Sequence, residues 1–96
     1  MFEVRKTEVY TKWLDGLRDV RARARILVRV ERLIAGNAGD AKPVGEGVSE
    51  LRIPYGPGYW VYYKKYDESV VLLLAGGDKS TQAKDIKKAL QLARNL

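Results

Sequence analysis

The sequence predicts a single α+β domain over residues 1–96 that includes an antiparallel meander of strands. After a short strand-like stretch come two stretches with apolar residues at helical spacing, then three strand-like stretches separated by short turns, and one more helical stretch comes last. This grouping of helices and strands, rather than their regular alternation, is typical of α+β domains. The predicted order of elements is β-α-α-β-β-β-α, and 96 residues suit one modest core.

The first three predicted elements lie before Gly36. Residues 2–6 alternate apolar and polar side chains, which predicts a strand. Thr7 is a suitable N-cap for a first helix, and Asp19 is one for a second helix that runs to about Ile34 and stops at Gly36. The side chains of the second helix that we expect to face the sheet are Val20, Ala24, Leu27 and Ile34.

The second half of the chain predicts a meander followed by a helix. The glycine-rich residues 36–47 are expected to be a loop. Two strands, 48–53 and 59–66, are then joined by a short turn. Residues 70–75 are apolar without alternation, which predicts a central strand covered on both faces and ended by Gly76 and Gly77. A last helix begins near Lys79 or Ser80, and its apolar face consists of Ala83, Ile86, Leu90 and Ala93.

The amino-acid composition excludes every site that needs cysteine or histidine. The sequence has neither cysteine nor histidine, so disulfides, thiolate zinc sites and histidine triads are excluded, and we expect no metal and no cofactor. Its 18 Lys and Arg against 12 Asp and Glu give a net charge of +6, which favours a polyanion or an acidic protein as partner. No apolar run reaches the roughly 18 residues that span a membrane, and no signal peptide is recognisable, so we expect a cytoplasmic protein.

Arginine side chains form a stripe along the predicted second helix. At 100° per residue, five of them fall within about 80° of the helix circumference. A charged stripe is most often a solvated face, but arginine also binds carboxylates and phosphates through two parallel hydrogen bonds. The arginine stripe consists of Arg18, Arg21, Arg25, Arg29 and Arg32.

Aromatic residues are concentrated in the predicted hairpin. Most of the tyrosines lie between residues 55 and 66, beside Trp60. Strand alternation places Glu50 and Arg52 on one face of the first strand, and Trp60 and Tyr62 on one face of the second. Aromatic residues favour strands in any case, but beside basic groups they are also typical of surfaces on which unpaired bases stack.

The segment from Gly76 to Gln82 joins the last strand to the last helix. A helix N-terminus offers free backbone N–H groups to an anion. Asp78 or Ser80 can equally be the N-cap of the helix, which is the simpler interpretation of each residue. The spacing of the glycines and the lysine excludes a Walker motif.

Two long segments together resemble a known family. The runs GVSELRIPYGPGYWVYYKKY and LLLAGGDKSTQAKDIKKALQLA are similar to the RelE/ParE superfamily of bacterial toxins, and within it to the HigB-like group of addiction module killer proteins. The segment Gly39-Asp40-Ala41-Lys42-Pro43 adds to the resemblance, which extends over nearly the whole chain. It implies a RelE-like fold, in which helices pack on one face of an antiparallel sheet and the opposite face is concave and basic, and it implies a co-expressed antitoxin.

For activity, the resemblance implies a toxin that cleaves mRNA on the ribosome without a metal ion. In that reaction the RNA 2′-hydroxyl attacks the adjacent phosphate, which requires a base, cations for the charge on phosphorus and an acid for the leaving oxygen. The positions that match the family give Arg52, Trp60, Lys79 and Asp78 as catalytic candidates. The RNA-binding candidates are Lys42 and Gln82 from the resemblance, with Tyr59 and Tyr62 from the aromatic hairpin.

Trp60 departs from the family pattern, which has an arginine at that position. Removing one charge donor from a transition state costs about 100–1,000-fold in rate. Three interpretations stay open: a ribosome-dependent endonuclease weakened by Trp60, a gyrase-directed or other non-nuclease toxin, and an antitoxin- or RNA-binding protein without catalysis. The resemblance also implies an antitoxin with a helix-turn-helix that contacts the arginine stripe, with operator DNA bound only through that antitoxin.

Overall fold

The computed structural model describes residues 2–96; Met1, the first residue of the predicted domain, lies outside the described residues. Five strands and three helices form the fold, with one turn of 3₁₀-helix at Lys79–Thr81 before the last helix. The elements in chain order are β1 (Glu3–Lys6), α1 (Glu8–Asp15), α2 (Val20–Ile34), β2 (Ala41–Gly45), β3 (Val48–Ile53), β4 (Tyr59–Tyr66), β5 (Val70–Asp78) and α3 (Gln82–Arg94).

The five strands form one mixed sheet in the order β1-β5-β4-β3-β2. The predicted α+β class is confirmed, but two details of the sheet differ from the prediction. β1 pairs with β5 in parallel, so the sheet is not wholly antiparallel. The predicted loop 36–47 also contains the edge strand β2, which includes Pro43; an edge strand tolerates proline because only one side of it is hydrogen-bonded.

The helices lie on both faces of the sheet, which corrects the expected one-sided arrangement. α1 and α2 pack on one face, where Tyr10 and Ile26 contact a core that includes Leu73. α3 packs on the other face, where Ala89 joins a second core with Leu74. Both faces of β5 are therefore covered, as its unbroken apolar run predicts.

The buried side of α2 differs from the prediction. The helix buries Ala22, Ile26, Val30 and Leu33, whereas Val20 is 72% exposed and Leu27 is 40% exposed. The prediction placed the buried side opposite the arginine stripe. The actual buried side lies next to it, because arginine stems can lie along the edge of a packed face while their charged ends stay in water.

Gly76 and Gly77 lie within β5 and do not end it. A Cβ atom at Gly76 would lie 2.2 Å from the ring of Trp13 on α1, and one at Gly77 would lie 1.8 Å from a carboxylate oxygen of Asp85 on α3. The two glycines therefore let a helix approach the strand from each side. Within residues 2–96, none of the helices is both long enough and apolar enough to cross a membrane.

Candidate functional site

An open cleft of about 650 Å³ lies at the end of the sheet, beside the start of α3. A cleft of this size is large enough for a nucleotide. Its walls come from β2, β3, β4, the β3–β4 turn and the first residues after β5. The lining residues that carry its chemistry are Asp40, Lys42, Glu50, Arg52, Trp60, Lys79 and Gln82.

The register of β3 and β4 explains why these side chains meet. Glu50 and Arg52 are two residues apart and share a face of β3. Arg52 is paired with Trp60 across the strands, and Trp60 is paired with Gly77 on its other side. The Trp60 ring extends over the turn, where a Cβ atom at Gly58 would lie 3.4 Å from it. Trp60 therefore forms an aromatic wall beside the Arg52 guanidinium.

Glu50 is the residue of the cleft that the sequence analysis missed. It is only 3% exposed. The Lys42 Nζ lies 3.5 Å from one carboxylate oxygen, and the Gln82 side-chain amide donates to the other at 3.3 Å. Because a polar residue on a strand is normally exposed, its residue type alone did not indicate a buried site. The signal that could have identified it is its position two residues before Arg52, on the same face of the strand. Glu50 connects β2, β3 and α3 at the floor of the cleft.

The cleft contains three cationic side chains. The Arg52 guanidinium lies 3.6 Å from Asp40, and the Arg52 backbone N–H donates to the Asp40 carbonyl at 2.9 Å. Lys42 is paired with Glu50, but its side chain stays 75% exposed. Within residues 2–96, Lys79 has no carboxylate within 4.0 Å. An incoming anion would thus meet three cations, of which Lys42 and Arg52 are each paired with a carboxylate.

Asp78 lies beside the cleft rather than in its lining. Its carboxylate accepts hydrogen bonds from the Ser80 backbone N–H at 2.9 Å and from the Ser80 hydroxyl. It is therefore the N-cap of the 3₁₀ turn, the simpler of the two interpretations of this residue. Asp78 positions Lys79 and Gln82, which do line the cleft.

Tyr59 and Tyr62 do not line the cleft, which corrects their prediction as RNA-binding residues. Tyr59 is buried with α1 and α2, and Tyr62 is completely buried on the α3 face. Burial raises the pKa of Tyr59, and burial together with the nearby Glu50 carboxylate raises the pKa of Tyr62. Neither ring offers a free face for stacking, because helices pack on both sides of β4.

Four members of the arginine stripe line a second groove of about 560 Å³ between α2 and the end of β3. The Arg25 guanidinium lies over the Tyr55 ring at 4.6 Å. Arg29 differs from the others, because it donates to the backbone carbonyls of Arg52 at 2.7 Å and Ala38 at 3.3 Å. Arg18 does not line this groove. The basic groove is therefore Arg21, Arg25, Arg29 and Arg32 with the apolar residues between them.

Comparison with solved structures identifies the fold. The chain superposes on Escherichia coli toxin RelE, in an arginine-to-alanine double mutant in the free state, with a TM-score of 0.73. The match covers 99% of this chain and 98% of that one at 20% sequence identity. The protein thus has the RelE toxin fold, as the resemblance implied.

Sequence comparison then places the chain in a family. No protein-family model matches it. An uncharacterized protein of Haemophilus influenzae (strain Rd) is 49% identical to it over 94 residues, which cover 98% of this chain and 95% of that protein. The chain belongs to the same family as this Haemophilus protein.

Proposed function

We propose that this protein is the toxin of a HigB-like toxin–antitoxin module, and that its cleft binds mRNA on the ribosome for metal-independent cleavage. The observation that supports this most is the cleft itself, where Lys42, Arg52 and Lys79 line a nucleotide-sized space on a RelE-type fold. Three cations around one concave space match the needs of a substrate whose charge lies on phosphates. The proposed location is the bacterial cytoplasm, where ribosomes and mRNA meet.

The residues of the cleft divide the proposed chemistry among them. Arg52 binds the phosphate and stabilises the charge that grows on its oxygens as the 2′-hydroxyl attacks. Glu50 is a carboxylate that can accept the hydroxyl proton. Lys79 donates a proton to the leaving 5′-oxygen, so that the strand breaks into a 2′,3′-cyclic phosphate and a 5′-hydroxyl. Lys42 and Gln82 hold Glu50 in place.

Trp60 limits the proposed activity of this protein. It occupies the register position opposite Arg52, where the resembling family has an arginine. A second guanidinium there would contact the same phosphate as Arg52, whereas the indole supplies no charge. We expect this loss to reduce the cleavage rate by about 100–1,000-fold. The indole remains available for stacking on a base.

The decisive experiment restores the charge. We expect Trp60→Arg to make the protein arrest growth and cleave ribosome-bound mRNA, and the combination with Arg52→Ala to abolish both effects. Leu27→Arg is the matched control, because it adds the same charge on the exposed side of α2, away from the cleft. If Leu27→Arg is as toxic as Trp60→Arg, added charge alone explains the toxicity.

The lack of charge at Trp60 also favours a second candidate, a non-nuclease toxin or a binding protein on the same fold. Fold alone does not determine the target. If Trp60→Arg leaves growth and mRNA unchanged, the nuclease proposal is wrong. Inhibition of DNA supercoiling would then identify a gyrase-directed toxin, and antitoxin binding without either activity would identify a protein that has lost catalysis.

A further inference from the structure

We infer that Arg29 is a positioning residue for the cleft, although its own side chain lies in the basic groove on the α2 side of the sheet. It acts through the backbone of Arg52, whose side chain lies in the cleft. The two spaces are neighbours, since Pro54 lines both of them. The RNA measurements below rest on the proposed function, whereas the exchange measurement does not.

Arg52 lies where the ladder between β2 and β3 ends. The last pair of that ladder is Ala41 with Leu51, so Arg52 has no strand partner on that side. Its N–H instead donates to the Asp40 carbonyl at 2.9 Å. Its carbonyl accepts from the Arg29 guanidinium at 2.7 Å. Arg29 thus supplies the hydrogen bond that a longer β2 would have supplied.

The second hydrogen bond of Arg29 holds the segment that precedes β2. Its other terminal nitrogen donates to the Ala38 carbonyl at 3.3 Å. The guanidinium also approaches the backbone of Gly39, where a Cβ atom would lie 3.4 Å from it. Ala38 and Gly39 directly precede Asp40, the ion-pair partner of the Arg52 side chain. One guanidinium therefore holds the backbone of Arg52 and the segment that leads directly into its ion-pair partner, Asp40.

The chemistry of arginine suits this role. A planar guanidinium can donate to two acceptors in fixed directions, whereas the lysine ammonium is a compact point charge on a flexible stem. We therefore expect Arg29→Lys to keep the charge of the groove but to lose part of the positioning. Arg29→Gln removes the charge as well. Arg32→Gln is the matched control, since Arg32 lines the same groove and its side chain makes no hydrogen bond within residues 2–96.

The first test is a double-mutant cycle on the binding of a single-stranded RNA hexamer. We expect Arg29→Gln to weaken binding by about fivefold, Arg29→Lys by less and Arg32→Gln by under twofold. In an Arg52→Ala background, Arg29→Gln should weaken binding no further, although its effect on thermal unfolding should be the same in both backgrounds. An equal loss of binding in both backgrounds would overturn the inference, because Arg29 would then act directly on RNA or only through stability.

The second test needs no ligand. Hydrogen exchange at the Arg52 backbone amide reports the bond to Asp40, and we expect it to be about tenfold faster in Arg29→Gln, and faster by a smaller factor in Arg29→Lys, than in Arg32→Gln. Unchanged exchange at Arg52 would overturn the inference. If Arg52→Ala itself leaves RNA binding unchanged, the proposed function fails, and the exchange result alone then decides the role of Arg29.

Discussion

Individual glycines set how closely the helices approach the sheet. Gly76 faces Trp13 and Gly77 faces Asp85, and neither position has room for a methyl group. The carboxylate of Asp85 also accepts a hydrogen bond from the Thr81 hydroxyl, which connects the residue before α3 to the first turn of that helix. The glycine pair in the segment that resembles the RelE/ParE superfamily is therefore explained by packing, and the chemistry that we propose for that segment rests on Lys79 and Gln82.

The contact at Gly76 can be tested by overpacking. We expect Gly76→Ala to lower the free energy of unfolding by about 1–3 kcal/mol, because the added methyl collides with the Trp13 ring. Urea denaturation measures the loss. In combination with Trp13→Ala, the effect of Gly76→Ala should shrink, since the colliding ring is gone. Strictly additive losses would show that the two residues do not meet.

Tyr10 predicts how the protein responds to alkali. Burial, together with the nearby Asp15, raises the pKa of Tyr10 to about 12, whereas tyrosine in an unfolded chain titrates near 10. Between these values the unfolded chain loses the proton and the folded chain keeps it, so stability is full below pH 10 and falls as the pH rises towards 12. We expect Tyr10→Phe to reduce this fall by about 1–3 kcal/mol.

Urea denaturation of the protein and of Tyr10→Phe at neutral and alkaline pH checks this expectation. The Tyr10 hydroxyl is buried and has no hydrogen-bond partner within residues 2–96. At neutral pH the substitution should therefore change stability by less than about 1 kcal/mol. Parallel losses of stability in both proteins above pH 10 would contradict the role of Tyr10.

At the scale of single elements, β5 is buried in the core on both faces, whereas α2 has one side exposed to solvent. Leu73 is completely buried, whereas Leu27 is 40% exposed. We expect Leu73→Ala to destabilise the protein by about 2–5 kcal/mol. The same truncation at Leu27 is the matched control and should cost under about 1 kcal/mol. Thermal unfolding measures both, and equal losses would contradict the assigned buried side of α2.

The basic groove on α2 is the proposed contact for an acidic antitoxin. Arg29 is a poor choice for testing it, because its guanidinium also holds the backbone of Arg52. We expect Arg21→Glu with Arg25→Glu to weaken antitoxin binding by at least tenfold, because like charges would then face each other. The fold should be retained, as judged by circular dichroism. Unchanged affinity would show that the arginine stripe is only a solvated face.

At the scale of the whole molecule, the helices cover the two faces of the sheet unequally. α1 and α2 together cover one face, whereas α3 alone packs on the other. The end of that second face, near the β3–β4 turn, stays open and becomes the cleft. The position of the proposed RNA site therefore follows from the number of helices on each side.

The cations of the cleft predict a salt dependence for RNA binding. If Lys42, Arg52 and Lys79 each neutralise one phosphate, the slope of log K against log salt concentration should be about −2 for single-stranded RNA. Arg52→Ala should reduce its magnitude by about 0.7, and Arg32→Ala should leave it unchanged. Fluorescence anisotropy at several salt concentrations measures the slope. An equal change from both substitutions would place the RNA on the arginine stripe as well.

Local signals in the sequence were sufficient for the parts of the fold that depend on neighbouring residues. Thr7 and Asp19 cap α1 and α2 as predicted, because a cap bonds to N–H groups only two or three positions away. The apolar run of β5 predicted its burial on both faces, because a strand without alternating polar residues has no side suited to water. The cleft residues Arg52, Trp60 and Lys42 were selected by their resemblance to known toxins, and the register of the strands then brought them together.

Other features were decided only by the tertiary structure, because they depend on partners far along the chain. β2 has a proline and a glycine, as a loop would, and becomes a strand only because β3 offers it hydrogen bonds. Glu50 looks like an exposed strand residue until α3 covers it, and Tyr62 loses its stacking face for the same reason. Alternation along a strand specifies which face a side chain takes, but only the placement of the helices determines whether that face meets water, a core or a cleft.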